Sequence, residues 1–331
     1  MERYCKITLA ALKSAVEIRT GYSRSGLTAM FDTSRVNPVL PMSRADLLKG
    51  FVAAKSRMSI SGAQPKRSAV LDSNTLMLTD TGGQYIIKPS PEEYPHLAEV
   101  EHACMAMTRA LSTGRLTVAE HGLFPLADGE LVYITRRHDR KPDGSKLHQL
   151  QMDSAMNIAD KYDANTSYER IGQFIRSHVS VPLPALIAFY EQVLISYLLG
   201  NDDCHIRNLA LLVDLSTDKA IGLTPAYDIV ASSLYTEGGS SLALPLTIED
   251  EEDNAGTTKG VDQYGFYTGG DFIDLGTGIG LSNALARSTM QKVLSKVENA
   301  KEFLGRSWVP DELKSKLSTL MDERLTMLGK Y

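Results

Sequence analysis

Runs in which apolar and polar residues alternate mark the early part of the chain. They cover Ile60 to Leu71, Thr75 to Thr79 and Gln84 to Lys88, with the turn formers Asp80-Thr81-Gly82-Gly83 ahead of the last run. A period of two broken by glycine and aspartate predicts a small antiparallel sheet. From Glu99 to Leu111 the period changes, because Val100, Cys104, Met107 and Leu111 recur at helical spacing. Strand-like sequence returns around Leu131 to Arg136. Strands with one inserted helix predict a sheet-rich N-terminal lobe over residues 1–140.

Beyond Arg140 the pattern is helical, with helices expected at Tyr168 to Val179, Leu183 to Leu199, Leu281 to Phe303 and Pro310 to Leu328. This predicts a mostly helical C-terminal lobe over residues 141–331 and an α+β fold class overall. The length agrees, since 331 residues exceed the roughly 250 to 300 at which one core stops growing. The acidic run Glu249 to Asp253 reads as a solvated loop.

Composition narrows the function classes. Hydrophobic residues at 43% and charged residues at 23% are those of a globular protein. A net charge of -5 disfavours coating of nucleic acid by this chain alone. Cys5, Cys104 and Cys204 are an odd number without metal-ligand spacing, which points away from a disulfide framework or a zinc site. The start has no apolar leader pattern, and the apolar stretch Ala185 to Leu199 is interrupted by Glu191 and Gln192. A cytoplasmic protein with no membrane span is expected.

The densest polar chemistry lies in Gly200-Asn201-Asp202-Asp203-Cys204-His205-Ile206-Arg207-Asn208, between an apolar helix and an apolar strand-like run. Polar groups between buried elements need partners or water, so a functional loop is the economical reading. Phosphoryl transfer to a hydroxyl needs a carboxylate to take the proton and oxygen ligands for magnesium. Asp203 and Asn208 have the Asp-x4-Asn spacing of a kinase catalytic loop, and Asp228 in Pro225-Ala226-Tyr227-Asp228 stands where a second metal ligand follows a short hairpin. By itself the spacing also suits a turn capped by Asp and Asn side chains.

Two earlier segments extend the pattern. Ser59-Ile60-Ser61-Gly62-Ala63-Gln64-Pro65-Lys66 has small residues that let backbone N–H groups approach phosphates, although one glycine also suits an ordinary hairpin. Lys88 ends a strand, and a kinase steadies such a lysine with a glutamate of the next helix; Glu99 and Glu101 are the candidates, with Glu101 preferred. Gly276-Thr277-Gly278-Ile279-Gly280 lacks the spacing of a dinucleotide loop, and no G-x-S-x-G elbow supports a hydrolase built on His205.

The ordered motifs SISGAQPK, IIKP, ITRRHDR, NDDCHIRN and PAYDIV resemble the HipA-type serine/threonine kinases from about Ser59 to the C-terminus. The flank with Gly26-Leu27 and Asn37-Pro38 resembles the compact HipT subgroup. The resemblance implies a two-lobed protein-kinase-like fold that uses ATP and Mg2+, with Asp203 as catalytic base and Asn208 and Asp228 as metal ligands. It implies a nucleotide site of Ser61, Gly62, Ala63, Gln64, Pro65, Lys66, Lys88, His205, Ile206, Arg207, Asn208, Tyr227 and Asp228. Arg136, Arg137 and His138 would form the hinge facing adenine; family members more often carry other residues at 136 and 138, and lysine at 207.

Ser59 and Ser61 resemble the family's autophosphorylated motif, where added negative charge would expel the loop and inactivate the enzyme; the same serines also suit the capping of a turn. The resemblance further implies a toxin of a toxin-antitoxin system that phosphorylates an aminoacyl-tRNA synthetase, tryptophanyl favoured. Its partners would be a HipB-like DNA-binding antitoxin and a small HipS-like protein. The competing expectation is a catalytically quiet kinase-like module that acts through antitoxin partners.

Overall fold

The computed structural model describes residues 3–49, 64–140, 147–217, 219–236, 241–254 and 256–331. Ser59, Ser61, Gly62 and Ala63 of the expected phosphate loop lie outside them. The chain divides into two compact units. The first comprises Met1–Met107, Ala119–Lys146 and Glu302–Asp311; the second comprises Thr108–Val118, Leu147–Lys301 and Glu312–Tyr331.

In the first unit, β1 (Arg67–Asp72), β2 (Thr75–Leu78), β3 (Tyr85–Lys88), β4 (His121–Pro125) and β5 (Leu131–Arg136) form one antiparallel sheet in the order β2-β1-β3-β5-β4. Pairing of Lys88 with Tyr133 and of Ile87 with Ile134 sets the register of β3 on β5. The inserted helix is α4 (Leu97–Leu111). Three short helices precede the sheet: α1 (Ala15–Thr20), α2 (Arg24–Phe31) and α3 (Arg44–Leu48). No element was expected there. Each is capped by a serine, Ser14, Ser23 or Ser43, whose side chain accepts from a first-turn amide. Leu27, Met30 and Phe31 on α2 then pack on the sheet, with Phe31 and Tyr85 ring centroids 5.2 Å apart. Tyr22 stacks on Phe124 at 5.2 Å and donates to the Leu123 carbonyl at 2.6 Å.

The second unit is built around α7 (Pro182–Leu199). It starts with proline in the first turn and ends at Gly200, whose φ of 73° is left-handed. Its residues from Leu186 onward are almost all buried, so it has no amphipathic stripe, and 78% of its apolar window lies inside the structure. By length and composition it is the one helix among the described residues apolar enough to cross a membrane. Glu191 in its middle accepts from Ser112 and Thr113.

Helix α6 (Tyr168–His178) buries Tyr168, Ile171, Gly172 and Ile175, a helical stripe. A second sheet, of order β6-β7-β8, pairs β6 (His148–Gln151), β7 (Ala210–Asp214) and β8 (Lys219–Leu223) in antiparallel fashion. It was anticipated only as the strand-like run after Asn208 and the hairpin before Asp228. The remaining helices are α5 (Met152–Met156), α8 (Lys259–Tyr264), α9 (Gly269–Gly278), α10 (Asn283–Leu294), α11 (Val297–Arg306) and α12 (Asp311–Leu328).

Two expectations are corrected. The single helix over Leu281 to Phe303 is instead α10 and α11, broken at Ser295 and Lys296. There the Ser295 hydroxyl bonds the Lys292 carbonyl at 2.9 Å, and the Lys296 ammonium reaches the Ser112 carbonyl; tertiary anchoring overrides a helical pattern with no breaker. The acidic run is no solvated loop throughout: Glu251 is 2% exposed and accepts from Ser167 and Arg170.

Candidate active site

The candidate catalytic loop begins where α7 stops. A left-handed glycine turns the chain after Leu199, and the next amide, that of Asn201, bonds the Ser196 carbonyl at 2.9 Å. A side chain at position 200 would meet Ser233 and lie 2.5 Å from Leu320 Cδ2, so glycine serves both turn and packing there. Asp203, His205 and Asn208 follow, all buried at 3–5% exposure. The loop is internally tied. His205 N–H donates to the Asp203 carbonyl at 2.8 Å, and Asn208 Nδ2 donates to the same carbonyl at 2.7 Å. A carbonyl only accepts, so the amide nitrogen of Asn208 must face it and the side-chain oxygen is left as a ligand. Ile206–Asn208 form a 3-10 turn that leads into β7.

Asp228 arrives on the neighbouring segment. The Thr224 amide bonds the Ala210 carbonyl at 3.0 Å and the Ala226 amide bonds that of Thr117 at 2.8 Å, which places the segment beside β7. Asp228 adopts a φ of 54°, in the left-handed region that aspartate tolerates better than most residues. Burial pushes the His205 imidazole below its ordinary pKa, while Asp203 pulls it back up; Lys161 lowers it and Asp228 raises it. Asp203 Oδ1 lies 3.8 Å from Nε2 of that ring. Burial, with the Asp228 carboxylate adding to it, holds the Tyr227 phenol well above its usual value, and its hydroxyl donates to the Arg207 carbonyl at 3.2 Å. Cys204, between the two loop residues, is pushed up to about 11 by burial and is no ready nucleophile.

The donor set of Asn208 and Asp228 is one amide oxygen and one carboxylate, hard ligands suited to magnesium. Among the described residues no group of three or more His, Cys, Asp or Glu side chains converges as a metal site. A magnesium held here would keep waters and phosphate oxygens among its ligands, as that ion usually does.

The first unit carries the other expected residues. Lys88, at the end of β3, is 3% exposed, and its ammonium is 2.6 Å from Glu101 and over the Tyr133 ring at 5.3 Å. Of the two candidate glutamates Glu101 takes the lysine, while Glu99 lies 3.3 Å from His96. Gln64 is buried and donates to the Pro89 carbonyl at 3.3 Å; Pro65 is buried beside it and Lys66 is exposed. In the expected hinge, Arg136 grips Asp32 through two hydrogen bonds of 2.9 and 2.5 Å. Arg137 binds Asp139 at 2.7 and 2.9 Å, and His138 is half-buried between them. The side chains of Arg136 and Arg137 are thus taken up by carboxylates.

Arg207 has an exposed guanidinium, with Nε on Asp153 and Nη2 on the Ala159 carbonyl, both at 2.9 Å. One contact was missed altogether: the Tyr162 hydroxyl donates to Asp203 Oδ1, and its ring meets His205 edge-on at 5.2 Å. The only signal in the sequence was a tyrosine set among the charged residues Asp160, Lys161 and Asp163.

Solved structures share this architecture. Shewanella oneidensis HipA, from its complex with HipB and operator DNA, superposes with a TM-score of 0.65 over 86% of this chain and 70% of its own, at 19% identity. The Helicobacter pylori proinflammatory kinase CtkA gives 0.54 over 87% of this chain and 93% of its own, at 14% identity. The fold is the two-lobed, kinase-like α+β fold. Residues 58–301 match the HipA-like C-terminal domain family, and the chain belongs to that family. A candidate kinase of Haemophilus influenzae is 36% identical over 322 residues, 93% of this chain and 92% of that protein. The candidate kinase Y4dM of Sinorhizobium fredii is 29% identical over 206 residues, 57% of this chain and 48% of that one.

Proposed function

We propose that this protein is an ATP- and magnesium-dependent serine/threonine protein kinase. The observation that carries the reading is the tied loop, in which Asn208 bonds the carbonyl of the buried Asp203 while His205 Nε2 lies 3.8 Å from its carboxylate. In the proposed reaction Asp203 accepts the proton of a serine hydroxyl as its oxygen bonds to the γ-phosphorus, and the bond from that phosphorus to the departing ADP oxygen breaks. Asn208 and Asp228 are the proposed holders of magnesium, which when bound offsets charge on the phosphates. Lys88, steadied by Glu101, is assigned to the phosphates, together with Ser61 to Lys66; Arg136 to His138 are assigned to adenine. His205, Ile206 and Tyr227 complete the nucleotide residues. The hold of Arg207 on Asp153 and Ala159 supports a part in fixing the loop.

Labelling with γ-labelled ATP and magnesium tests this. The wild type is expected to label itself at Ser59 or Ser61, and Asp203→Gln to label neither while still binding nucleotide. Lys88→Ala is expected to weaken nucleotide binding itself. A wild type that binds ATP yet transfers nothing would make the protein a quiet binding module. Membership of the family and the HipA–HipB assembly of its structural neighbour support a toxin held by a HipB-like DNA-binding antitoxin. The likeness to HipT supports a small HipS-like partner and an aminoacyl-tRNA synthetase, tryptophanyl first, as substrate. Capture of translation components on the Asp203→Gln protein tests the substrate.

A further inference from the structure

We infer that Tyr162 is a positioning residue for Asp203, and that Arg207 acts by holding the loop that carries Tyr162. The inference rests on the kinase reading above and deepens it. A carboxylate that must take a proton along one line loses efficiency if it swings, and a misplacement of about 1 Å can cost a hundredfold in rate. The phenol donates to Oδ1 of Asp203, which restrains the swing of the carboxylate. The same ring stands edge-on to His205 and beneath the Lys161 ammonium at 4.7 Å.

The alternative is a gate, in which the tyrosine hydroxyl stands in the acceptor's place and must leave before reaction. Anchoring of the loop at both ends favours the fixed role. Ahead of Tyr162, Arg207 bridges Asp153 and the Ala159 carbonyl, so the catalytic segment itself grips the loop. Behind it, Asp163 accepts from Asn165 N–H at 3.1 Å and from the Thr166 hydroxyl at 2.8 Å, closing a turn. Asn165 Oδ1 then accepts from Asp253 N–H at 2.9 Å, and the Ala164 carbonyl from Glu252 N–H at 3.1 Å. A segment tied this way is suited to hold its tyrosine still.

The test measures the single-turnover rate of self-labelling with γ-labelled ATP and magnesium on the full chain, with ATP affinity by calorimetry and folding by circular dichroism. Tyr162→Phe is expected to slow labelling about 10- to 100-fold with ATP affinity unchanged. Arg207→Gln should slow it in the same direction, and Arg207→Lys should recover part of the loss. Labelling by Tyr162→Phe at or above the wild-type rate overturns the inference, the faster rate identifying a gate. Equal loss of ATP affinity and rate also overturns it, since the phenol would then be structural. Wild-type rates in Asp203→Gln, or no labelling by the wild type, would instead remove the kinase reading and this inference with it.

Discussion

Arg324, on the last helix, donates to the Tyr197 carbonyl at the end of α7, three residues before the glycine that starts the catalytic segment. The guanidinium also reaches the Ser241 carbonyl at 3.3 Å and lies 4.6 Å from the Tyr197 ring. Burial lowers its pKa, so it is kept charged against the preference of its surroundings. Removing it takes a charged donor from the Tyr197 carbonyl, which keeps only the Gly200 N–H at 3.1 Å, at a cost of about 1–3 kcal/mol. Arg324→Leu should lower the urea midpoint accordingly; an unchanged midpoint would show that the Gly200 N–H alone satisfies the carbonyl.

Lys88 and Glu101 are both about 3% exposed, and a pair that deep is sensitive to losing one member. Glu101→Leu alone is expected to destabilise by about 3–5 kcal/mol, because it strands a buried ammonium. The double variant Lys88→Met with Glu101→Leu should recover most of that. Denaturation of the three proteins side by side checks it, and additive losses would contradict it.

Glu251 gives stability a pH dependence. Burial pushes its carboxyl up, but Arg170 and Ser167 outweigh that and hold it below the usual carboxylate range. A carboxyl depressed in the folded state stabilises above its unfolded pKa, about 4.3, and that contribution fades as pH falls through the lower folded value. Melting temperature should therefore drop below about pH 4 more steeply in the wild type than in Glu251→Gln. Parallel slopes in thermal melts would count against this.

Gly276 sits where α9 crosses α10, and a Cβ there would be 2.5 Å from that of Ala286 and 3.3 Å from the Tyr190 ring. Gly276→Ala should cost about 1–3 kcal/mol through overpacking. A gain in stability would mean that the helices separate without penalty.

That glycine also shows what can be read from residues alone. In Gly276-Thr277-Gly278-Ile279-Gly280 the spacing excluded a dinucleotide loop without revealing the contact that selects glycine, because Ala286 becomes a neighbour only once two helices meet. The sheet over Thr75 to Leu78, Tyr85 to Lys88 and Leu131 to Arg136 was legible, since period-two alternation is local. So were α4, α6, α7 and α12, to within a residue or two. The helices capped by Ser14, Ser23 and Ser43 are too short for a period to show. Within the site, the spacing of Asp203, Asn208 and Asp228 could be read along the chain. The hold of Tyr162 on Asp203 joins residues 41 apart, and the carboxylate partners of Arg136 and Arg207 lie 104 and 54 residues away, where spacing carries no signal.

Because α7 is buried at every position from Ala188 to Leu199, the amides of that stretch can meet solvent only when much of the surrounding unit opens. In hydrogen–deuterium exchange, Leu194 to Leu199 should be among the slowest residues of the chain. The turn at Gly200 and Asn201 is thus mounted directly on the part of the molecule that opens least often.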